Sequence, residues 1–258
     1  MRDILAAFAP RGTGLLRRPL VIHEQNAAAG LTNQLLSRVA RLVLQAFPGT
    51  FARARTVGNP VRVGFAELPD PAQRIGADGD RPRRLLVVGG SQGAKSLNTI
   101  VPAALALLNP DERPQVRHQA GRTLDVAKDA YLSVGVKADV VAFIDEMPVA
   151  YGWSDLVVCR AGASTVAELA AAGCAALLVP FPAAVDDHQT RNAEYLVKAG
   201  AALLVQEREL DAPRLAALLR DLLGNPSRLV SMARAARTAA WPQAVETIAD
   251  CCLDAATC

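Results

Sequence analysis

Short, uninterrupted apolar runs alternate with longer Ala-rich stretches along this chain, and this alternation limits the fold more than any other feature. The runs have the length of strands. A strand that is apolar on both faces is typical of a sheet covered by helices on both sides. Strands of this kind alternating with helical patterns indicate a parallel sheet with crossover helices. The sequence therefore predicts an α/β fold.

The same patterns predict the individual elements. Strands are expected at 19–22, 41–44, 54–57, 84–88, 115–119, 139–143, 155–159, 175–179 and 202–205. Helices are expected at 30–39, 94–107, 123–134, 164–172, 187–199, 211–223 and 226–238, with a last one from about 242. Gly173 and Gly200 stand where C-terminal helix caps are expected.

A polar stretch at 64–82 holds three prolines and is interpreted as a linker between domains. Residues 19–62 offer three strands and one helix, which is too little for an independent doubly wound domain. The expected parts are a partial Rossmann-like domain at 1–63, a complete one at 83–225, and C-terminal helices at 226–258 that pack back toward the N-terminal part.

Composition excludes several classes of protein. The net charge is +3 and both signs are mixed along the chain, whereas a nucleic-acid-binding protein carries clustered Lys and Arg. The five cysteines form no C-x-x-C pair and there are three histidines, so no zinc site is predicted and a reducing cytoplasm fits best. No apolar run reaches membrane-spanning length. Residues 1–18 are interpreted as a ragged start rather than a targeting segment.

A glycine-rich turn, GGSQGA at 89–94, lies between a predicted strand and a predicted helix. Free N–H groups at a helix N-terminus attract anions, and Ser91 adds a hydroxyl donor. The spacing matches neither G-x-G-x-x-G nor a P-loop, so dinucleotide and ATP sites are poorly supported. A tight turn that requires positive φ explains the same glycines equally well.

A second strand-to-helix junction spans 159–168, CRAGASTVAE, at the carboxyl end of the sheet where open α/β sheets bind ligands. The carboxylate of Glu168 could accept both hydroxyls of a ribose. In the alternative interpretation, Ser164 or Thr165 caps the helix and Glu168 belongs to a capping box.

Three smaller polar clusters are further candidates. Gln189 and Asn192 share one helix face, and amides suit sugar hydroxyls, although a solvated surface explains them as well. His23 and Glu24 follow a strand and could be acid/base or orienting groups, although a lone histidine is often a satisfied core residue. Arg62 could face a diphosphate or merely lie in a loop.

Seven segments follow one another along the chain: HEQNAAAGLTN, QAFPGTF, VGNPVR, LLVVGGSQGAKSLN, FIDEM, VVCRAGASTVAELAAAG and VPFPAAVDDHQTRNA. Taken together and in this order, they resemble the MurG family. MurG transferases add N-acetylglucosamine to the lipid-linked muramyl-pentapeptide precursor of bacterial peptidoglycan at the cytoplasmic face of the inner membrane. The resemblance covers about residues 19–256.

The resemblance implies a GT-B fold, in which two Rossmann-like domains face each other across a cleft, with UDP-N-acetylglucosamine as the donor. Ile144 would hold the uracil through its backbone, Ser91 and Gly93 would meet the diphosphate, and Glu168 would take the ribose. The other implied donor contacts are Asn26, Arg62, Ala163, Ser164, Val166 and Ala167, together with Thr165, Gln189 and Asn192, which would surround the sugar.

The implied reaction is an inverting displacement, in which the acceptor hydroxyl attacks the anomeric carbon. The leaving UDP would be stabilised by helix N-termini, so neither a metal nor another cofactor is expected. The other implied partners are the lipid-linked acceptor and, through a peripheral contact, the cytoplasmic face of the inner membrane. His23 and Glu24 are the candidate catalytic residues.

The sequence departs from the family at its start. Family members carry a G-G-T-G-G-H loop whose histidine is proposed as a catalytic base, and this loop does not occur here. Two functions remain open: a MurG-type transferase whose activity in this form is in question, or a catalytically inactive UDP-sugar-binding fragment of a truncated or frame-shifted gene. A nicotinamide-dependent oxidoreductase is disfavoured, because the glycine spacing is wrong.

Overall fold

The computed structural model describes residues 19–75, 81–184 and 187–257. Its smaller sheet is parallel and has the order β1-β2-β3, with α1 between the first two strands. The elements of this first unit are β1 (Val21–Glu24), α1 (Leu31–Leu36), β2 (Leu42–Gln45) and β3 (Arg55–Thr56).

The larger sheet is also parallel and has the strand order β6-β5-β4-β7-β8-β9. Its strands are β4 (Arg84–Val88), β5 (Gln115–Gln119), β6 (Asp139–Val141), β7 (Leu156–Cys159), β8 (Ala176–Leu178) and β9 (Ala202–Leu204). This is the doubly wound order of Rossmann-like folds. The first strand, β4, pairs with both β5 and β7, so the order reverses between β4 and β7.

Nine more α-helices follow the first unit in the described part of the chain. They are α2 (Pro71–Arg74), α3 (Lys95–Ala106), α4 (Leu124–Ser133), α5 (Met147–Trp153), α6 (Ala163–Ala172), α7 (His188–Lys198), α8 (Ala212–Leu223), α9 (Pro226–Thr238) and α10 (Ala244–Thr257). None of them is long and apolar enough to cross a bilayer within the residues that the structure describes.

The α/β class and all nine predicted strands are confirmed, and each predicted helix is present with ends that differ by a few residues. Two short helices were not predicted. The first, α2, lies in the predicted linker, where the Asp70 side chain caps a helix that begins at Pro71. The second, α5, contains Pro148 and Gly152, which conceal a helical pattern. Residues 1–18 and part of the predicted linker, 76–80, lie outside the described residues.

Alternation along the central strands explains why they are apolar throughout. In β4, Leu85 and Val87 belong to one buried cluster, whereas Leu86 and Val88 belong to another. Successive side chains of a strand point to opposite faces of the sheet, so each face has its own core. Helices α3 and α8 cover the first face, and α5 and α6 cover the second.

The C-terminal helices divide between the two sheets. Cys251 of α10 packs with Leu44 and Val57 of the first unit. In contrast, α9 packs against α6 and α8, which flank the larger sheet, and the return of both C-terminal helices to the N-terminal part stays a prediction. The domain limits themselves, at 63, 82 and 225, stay a prediction.

Candidate functional site

The reversal of strand order between β4 and β7 places two loops side by side at the carboxyl edge of the larger sheet. The turn at 89–94 leaves β4, and residues 160–162 leave β7. Crevices at such a switch point are where open α/β sheets bind ligands, because neighbouring loops diverge toward opposite faces. The two strand-to-helix junctions singled out in the sequence therefore meet at one place.

The glycine turn is held by hydrogen bonds that leave some of its backbone N–H donors unused. Gly90 and Gly93 have φ values of 79° and 78°, so the tight-turn explanation of the glycines is correct. Gln119 fixes the turn, because its side-chain Oε1 accepts from the N–H of Gly90 at 3.0 Å. Within the described residues, the N–H groups of Ser91 and Gln92 have no acceptor. The turn thus has a backbone conformation that favours glycine, and it has free N–H donors for an anion.

Both helices that begin at this edge lack a capping side chain. Gly162 is the N-cap of α6 and Ala94 is the N-cap of α3, and neither residue has a side-chain acceptor. Ser164 and Thr165 lie inside α6, so the alternative in which they cap the helix is wrong. An uncapped helix start leaves several N–H donors and the positive end of the helix dipole available.

Glu168 is a half-buried carboxylate on α6 with no hydrogen-bond or salt-bridge partner in the described part of the chain. Burial raises the pKa of Glu168, and the positive charge of Arg62 acts in the opposite direction. Arg62 lies in the segment that leaves the first unit, with its guanidinium 5.9 Å from the centre of the Phe65 ring. The guanidinium of Arg62 is therefore near enough to the carboxylate of Glu168 for the two opposite charges to interact.

Gln189 of α7 is oriented by backbone donors from two loops. Its Oε1 accepts from the N–H of Ala161 at 3.2 Å and from the N–H of Phe181 at 3.0 Å. Because both partners are donors, the oxygen is identified and the amide nitrogen points the other way. That Nε2 group has no acceptor among the described residues. Gln189 thus presents two N–H donors beside the β7–α6 loop.

Asn192, one helical turn further along α7, joins the two units. Its Oδ1 accepts from the N–H of Ala27 at 2.7 Å, and its Nδ2 donates to Oδ1 of Asn26 and to the carbonyl of Ala161, both at 3.2 Å. The side chain is completely buried. The geometry does not support the expected contact of Asn192 with a sugar, since its polar atoms are already used; Asn26, by contrast, stays partly exposed.

Glu24 organises the loop that follows β1. Its Oε1 accepts from the N–H of Asn26 at 2.9 Å, and its Oε2 accepts from the N–H of Gly30 at 3.2 Å and from Nδ2 of Asn33 at 2.8 Å. The residue is 3% exposed. A carboxylate with three such donors orients the loop and has no free edge for acid/base chemistry.

His23 is bonded to the start of the segment that leaves the first unit. Its Nε2 lies 2.9 Å from the carbonyl of Gly58, and since a carbonyl only accepts, this nitrogen carries the proton. Burial lowers the pKa of His23, with the Gly58 carbonyl and Glu24 acting in the opposite direction. The contact and the burial favour the core-histidine interpretation over a catalytic one.

The remaining predicted contacts lie around the same edge, at different depths. Ile144 follows β6 and lines a separate depression with Phe143 and Val149, two strands away from β4. Val166 is fully buried, and with Ala167 it faces a small cavity toward the first unit. No group of metal-binding side chains occurs in 19–75, 81–184 or 187–257.

Arg160 is a residue of the site that sequence reasoning quoted but gave no role. Its guanidinium donates to Oγ of Ser96 on α3 at 3.0 Å and to the carbonyls of Val179 and Pro180, both at 3.1 Å, and it pairs with Glu207. It therefore ties the β7–α6 loop to the first turn of α3. The sequence feature that could have indicated this role is the position of Arg160, a long cationic side chain directly after a buried strand.

Comparison with known proteins identifies this arrangement. Residues 84–248 match the model of the glycosyltransferase family 28 C-terminal domain. The UDP-N-acetylglucosamine--N-acetylmuramyl-(pentapeptide) pyrophosphoryl-undecaprenol N-acetylglucosamine transferase of Alkalilimnicola ehrlichii is 56% identical over 94% of this chain and 68% of its own length. The chain belongs to the MurG family. The transferase of the same name from Xanthomonas euvesicatoria is 57% identical, but only 56% of its length is covered.

Solved structures agree with the MurG assignment. The crystal structure of Acinetobacter baumannii MurG superposes with a TM-score of 0.84 at 40% identity, covering 94% of this chain and 68% of that one. The calicheamicin glycosyltransferase CalG4 reaches a TM-score of 0.59 at 18% identity, a likeness of fold alone. The GT-B class is thereby confirmed. The chain spans about 56–68% of the length of these MurG relatives.

Proposed function

We propose that this chain binds UDP-N-acetylglucosamine as the donor-binding part of a MurG-type transferase, which moves N-acetylglucosamine to a lipid-linked muramyl-pentapeptide. The relatives' names support the substrates. One observation of the fold supports the donor site most directly: two uncapped helix starts and an unpartnered Glu168 converge at the switch point of the larger sheet.

In this proposal the diphosphate lies against the switch point. The N–H groups of Ser91 and of the first three residues of α6, Ala163 to Thr165, have no acceptor among the described residues, whereas that of Val166 donates to the carbonyl of Gly162. Backbone donors aimed at a phosphate stabilise the charge that develops on UDP as the bond to the anomeric carbon breaks. Gly93 contributes the room for a close approach, and Arg62 adds a positive charge from the other unit. In this proposal these groups take the role that a bound metal would otherwise have.

The nucleoside and the sugar occupy the two flanks of the diphosphate. The carboxylate of Glu168 accepts from the ribose diol, and the backbone of Ile144 meets the uracil at the end of β6. The free amide donors of Gln189, together with Thr165, face the sugar. Asn26 approaches from the first unit. Asn192 acts indirectly, by holding Asn26 and the β7–α6 loop together.

The transfer step would form a bond from an acceptor hydroxyl oxygen to the anomeric carbon, while the bond from that carbon to the β-phosphate oxygen breaks. The hydroxyl proton needs a base. His23 and Glu24 are occupied by Gly58 and by the loop after β1, so both are positioning residues in our proposal. This observation favours a second candidate, a UDP-sugar-binding protein without transferase activity.

Calorimetry with UDP and a transfer assay test both candidates. We expect purified chain to bind UDP and UDP-N-acetylglucosamine. Failure to bind UDP would reject the donor site. With binding established, transfer of labelled N-acetylglucosamine to the lipid-linked acceptor supports the transferase, and binding without transfer supports the second candidate.

We propose a cytoplasmic location with peripheral contact at the inner membrane, which co-sedimentation with anionic vesicles would check.

A further inference from the structure

A fully buried polar network lies directly behind the glycine turn and has no place in the donor contacts described above. At its centre is His118 on β5, whose Nε2 lies 2.9 Å from Oδ1 of Asn98 and whose Nδ1 lies 3.0 Å from the hydroxyl of Tyr131. His118 and Asn98 are both 0% exposed, and Tyr131 is 3% exposed.

The hydrogen bonds define the state of the imidazole. Nδ2 of Asn98 donates to Oγ1 of Thr123 at 2.8 Å and to the carbonyl of Ala120 at 3.1 Å, so Oδ1 of Asn98 is the acceptor that faces His118. The Nε2 atom of His118 therefore carries the proton, and Nδ1 accepts from Tyr131. Burial lowers the pKa of His118 to about 4, which keeps the ring neutral.

The groups that Asn98 holds are in direct contact with the glycine turn. A Cβ atom on Gly93 would lie 2.4 Å from Oγ1 of Thr123 and 2.6 Å from the carbonyl oxygen of Ala120. A Cβ atom on Gly121 would lie 2.4 Å from the N atom of Gly93. With no room between them, the segment 120–123 sets the position of the turn, and Asn98 sets the position of that segment.

We propose that His118 is a positioning residue for the diphosphate, acting through Asn98 and the segment 120–123 on the backbone donors of the glycine turn. This inference rests on the proposed UDP site. Neutral His118 orients the amide of Asn98, whose two N–H groups then fix Thr123 and Ala120. Without this support from the segment 120–123, the N–H groups of the glycine turn would no longer be held in place.

The test compares UDP with uridine, which lacks the phosphates. In His118→Phe, an apolar ring of similar size removes both hydrogen bonds. We expect the dissociation constant for UDP to rise roughly tenfold, the size expected when a buried polar contact is lost. The constant for uridine, measured by competition, should stay unchanged. Thr123→Val removes the shortest hydrogen bond of Asn98, and it should likewise raise the dissociation constant for UDP but not that for uridine. This second variant tests the proposal even if His118→Phe does not fold.

Tyr131→Phe is the matched control, because it removes a bond of the same ring on the side away from the turn. It should lower the melting temperature while leaving both dissociation constants unchanged. Equal weakening of UDP and uridine by His118→Phe or Thr123→Val, or unchanged binding of both, overturns the inference while the UDP site stands. If the wild-type chain binds no UDP, the proposed function fails and the inference fails with it.

Discussion

At the scale of a residue, two glutamates of this chain show how the fold surrounds one carboxylate with donors and leaves another without a partner. Glu24 is buried and accepts from Asn26 and Gly30 of the loop after β1 and from Asn33 of α1. Glu168 is half-buried, and no donor of the described residues reaches it. Leaving a partly desolvated carboxylate without partners costs free energy, so its persistence at a switch point points to a ligand.

A double-mutant cycle with a modified ligand tests this role of Glu168. Glu168→Ala should weaken the binding of UDP by about 1–3 kcal/mol, the range for leaving a buried hydrogen-bonding group without its partner. Removing the 2′-hydroxyl, with 2′-deoxy-UDP, should weaken binding to the wild-type chain but hardly affect the variant. Calorimetry measures all four affinities. Additive losses would show that Glu168 does not touch that hydroxyl, and Glu246→Gln on the exposed face of α10 serves as the control.

Acid should act on stability through His118. Burial lowers the pKa of His118 from 6.5 to about 4 in the folded chain. As the pH falls, the unfolded chain takes up this proton first, so the stability that His118 contributes is complete above pH 6.5 and is lost down to about pH 4.

Urea unfolding near pH 7 and near pH 4.5 measures this loss. Between these two pH values, the free energy of unfolding of the wild-type chain should fall by about 2 kcal/mol more than that of His118→Phe, because phenylalanine takes up no proton. His23 titrates in the same direction but is present in both chains, so its effect cancels. Equal losses in the two chains would contradict a neutral, buried His118.

At the scale of an element, α7 carries two amides on one face with different tasks. Gln189 uses only its oxygen within the protein and keeps both N–H donors, whereas Asn192 uses its oxygen and its nitrogen to join the units. One helical turn separates them. Asn192 fixes α7 at the contact between the two units, and the preceding turn of the same helix thereby holds the free amide donors of Gln189 in place.

The ratio of the affinities for UDP-N-acetylglucosamine and UDP distinguishes the two amides. Gln189→Ala should weaken the nucleotide sugar more than UDP, because only the sugar meets its amide. Asn192→Ala should weaken both ligands equally and lower the free energy of unfolding by about 1–3 kcal/mol, since it leaves buried partners unpaired. A sugar-specific loss in Asn192→Ala would restore Asn192 as a sugar contact.

At the scale of the whole molecule, the chain passes between the two units at Gly58 and again near Trp241, and the two passages touch. A Cβ atom on Gly58 would lie 2.2 Å from Cβ of Trp241, and Gly58 has a φ of 79°. The carbonyl of Gly58 also accepts the hydrogen bond from Nε2 of His23. This glycine therefore joins the small sheet to the C-terminal segment.

Substituting this glycine should therefore cost more than its backbone conformation alone. Gly49 is the matched control, because it has a φ of 85° with open space around it. We expect Gly49→Ala to destabilise the chain by about 1 kcal/mol through the left-handed conformation, and Gly58→Ala by about 3 kcal/mol through conformation plus overlap. Chemical denaturation measures both. Equal costs would mean that the two passages do not pack as described.

The sequence alone determined the elements of this protein and its family. Uninterrupted apolar strands predict a sheet covered on both faces, because each strand side must be buried, and ordered segments such as LLVVGGSQGAKSLN point to one family. Short α5 escaped prediction, since a proline and a glycine hide its pattern.

Only the tertiary structure decided which polar side chains are free. His23, Glu24 and Asn192 have the residue types of a catalytic or sugar-binding site. Their hydrogen-bond partners include Gly58, 35 positions from His23, Asn33, 9 positions from Glu24, and Ala27, 165 positions from Asn192. Whether a hydrogen-bonding group is satisfied depends on groups brought close by folding, and spacing along the chain does not encode it. The sequence names the candidates, and the packing of strand ends and helix starts selects among them.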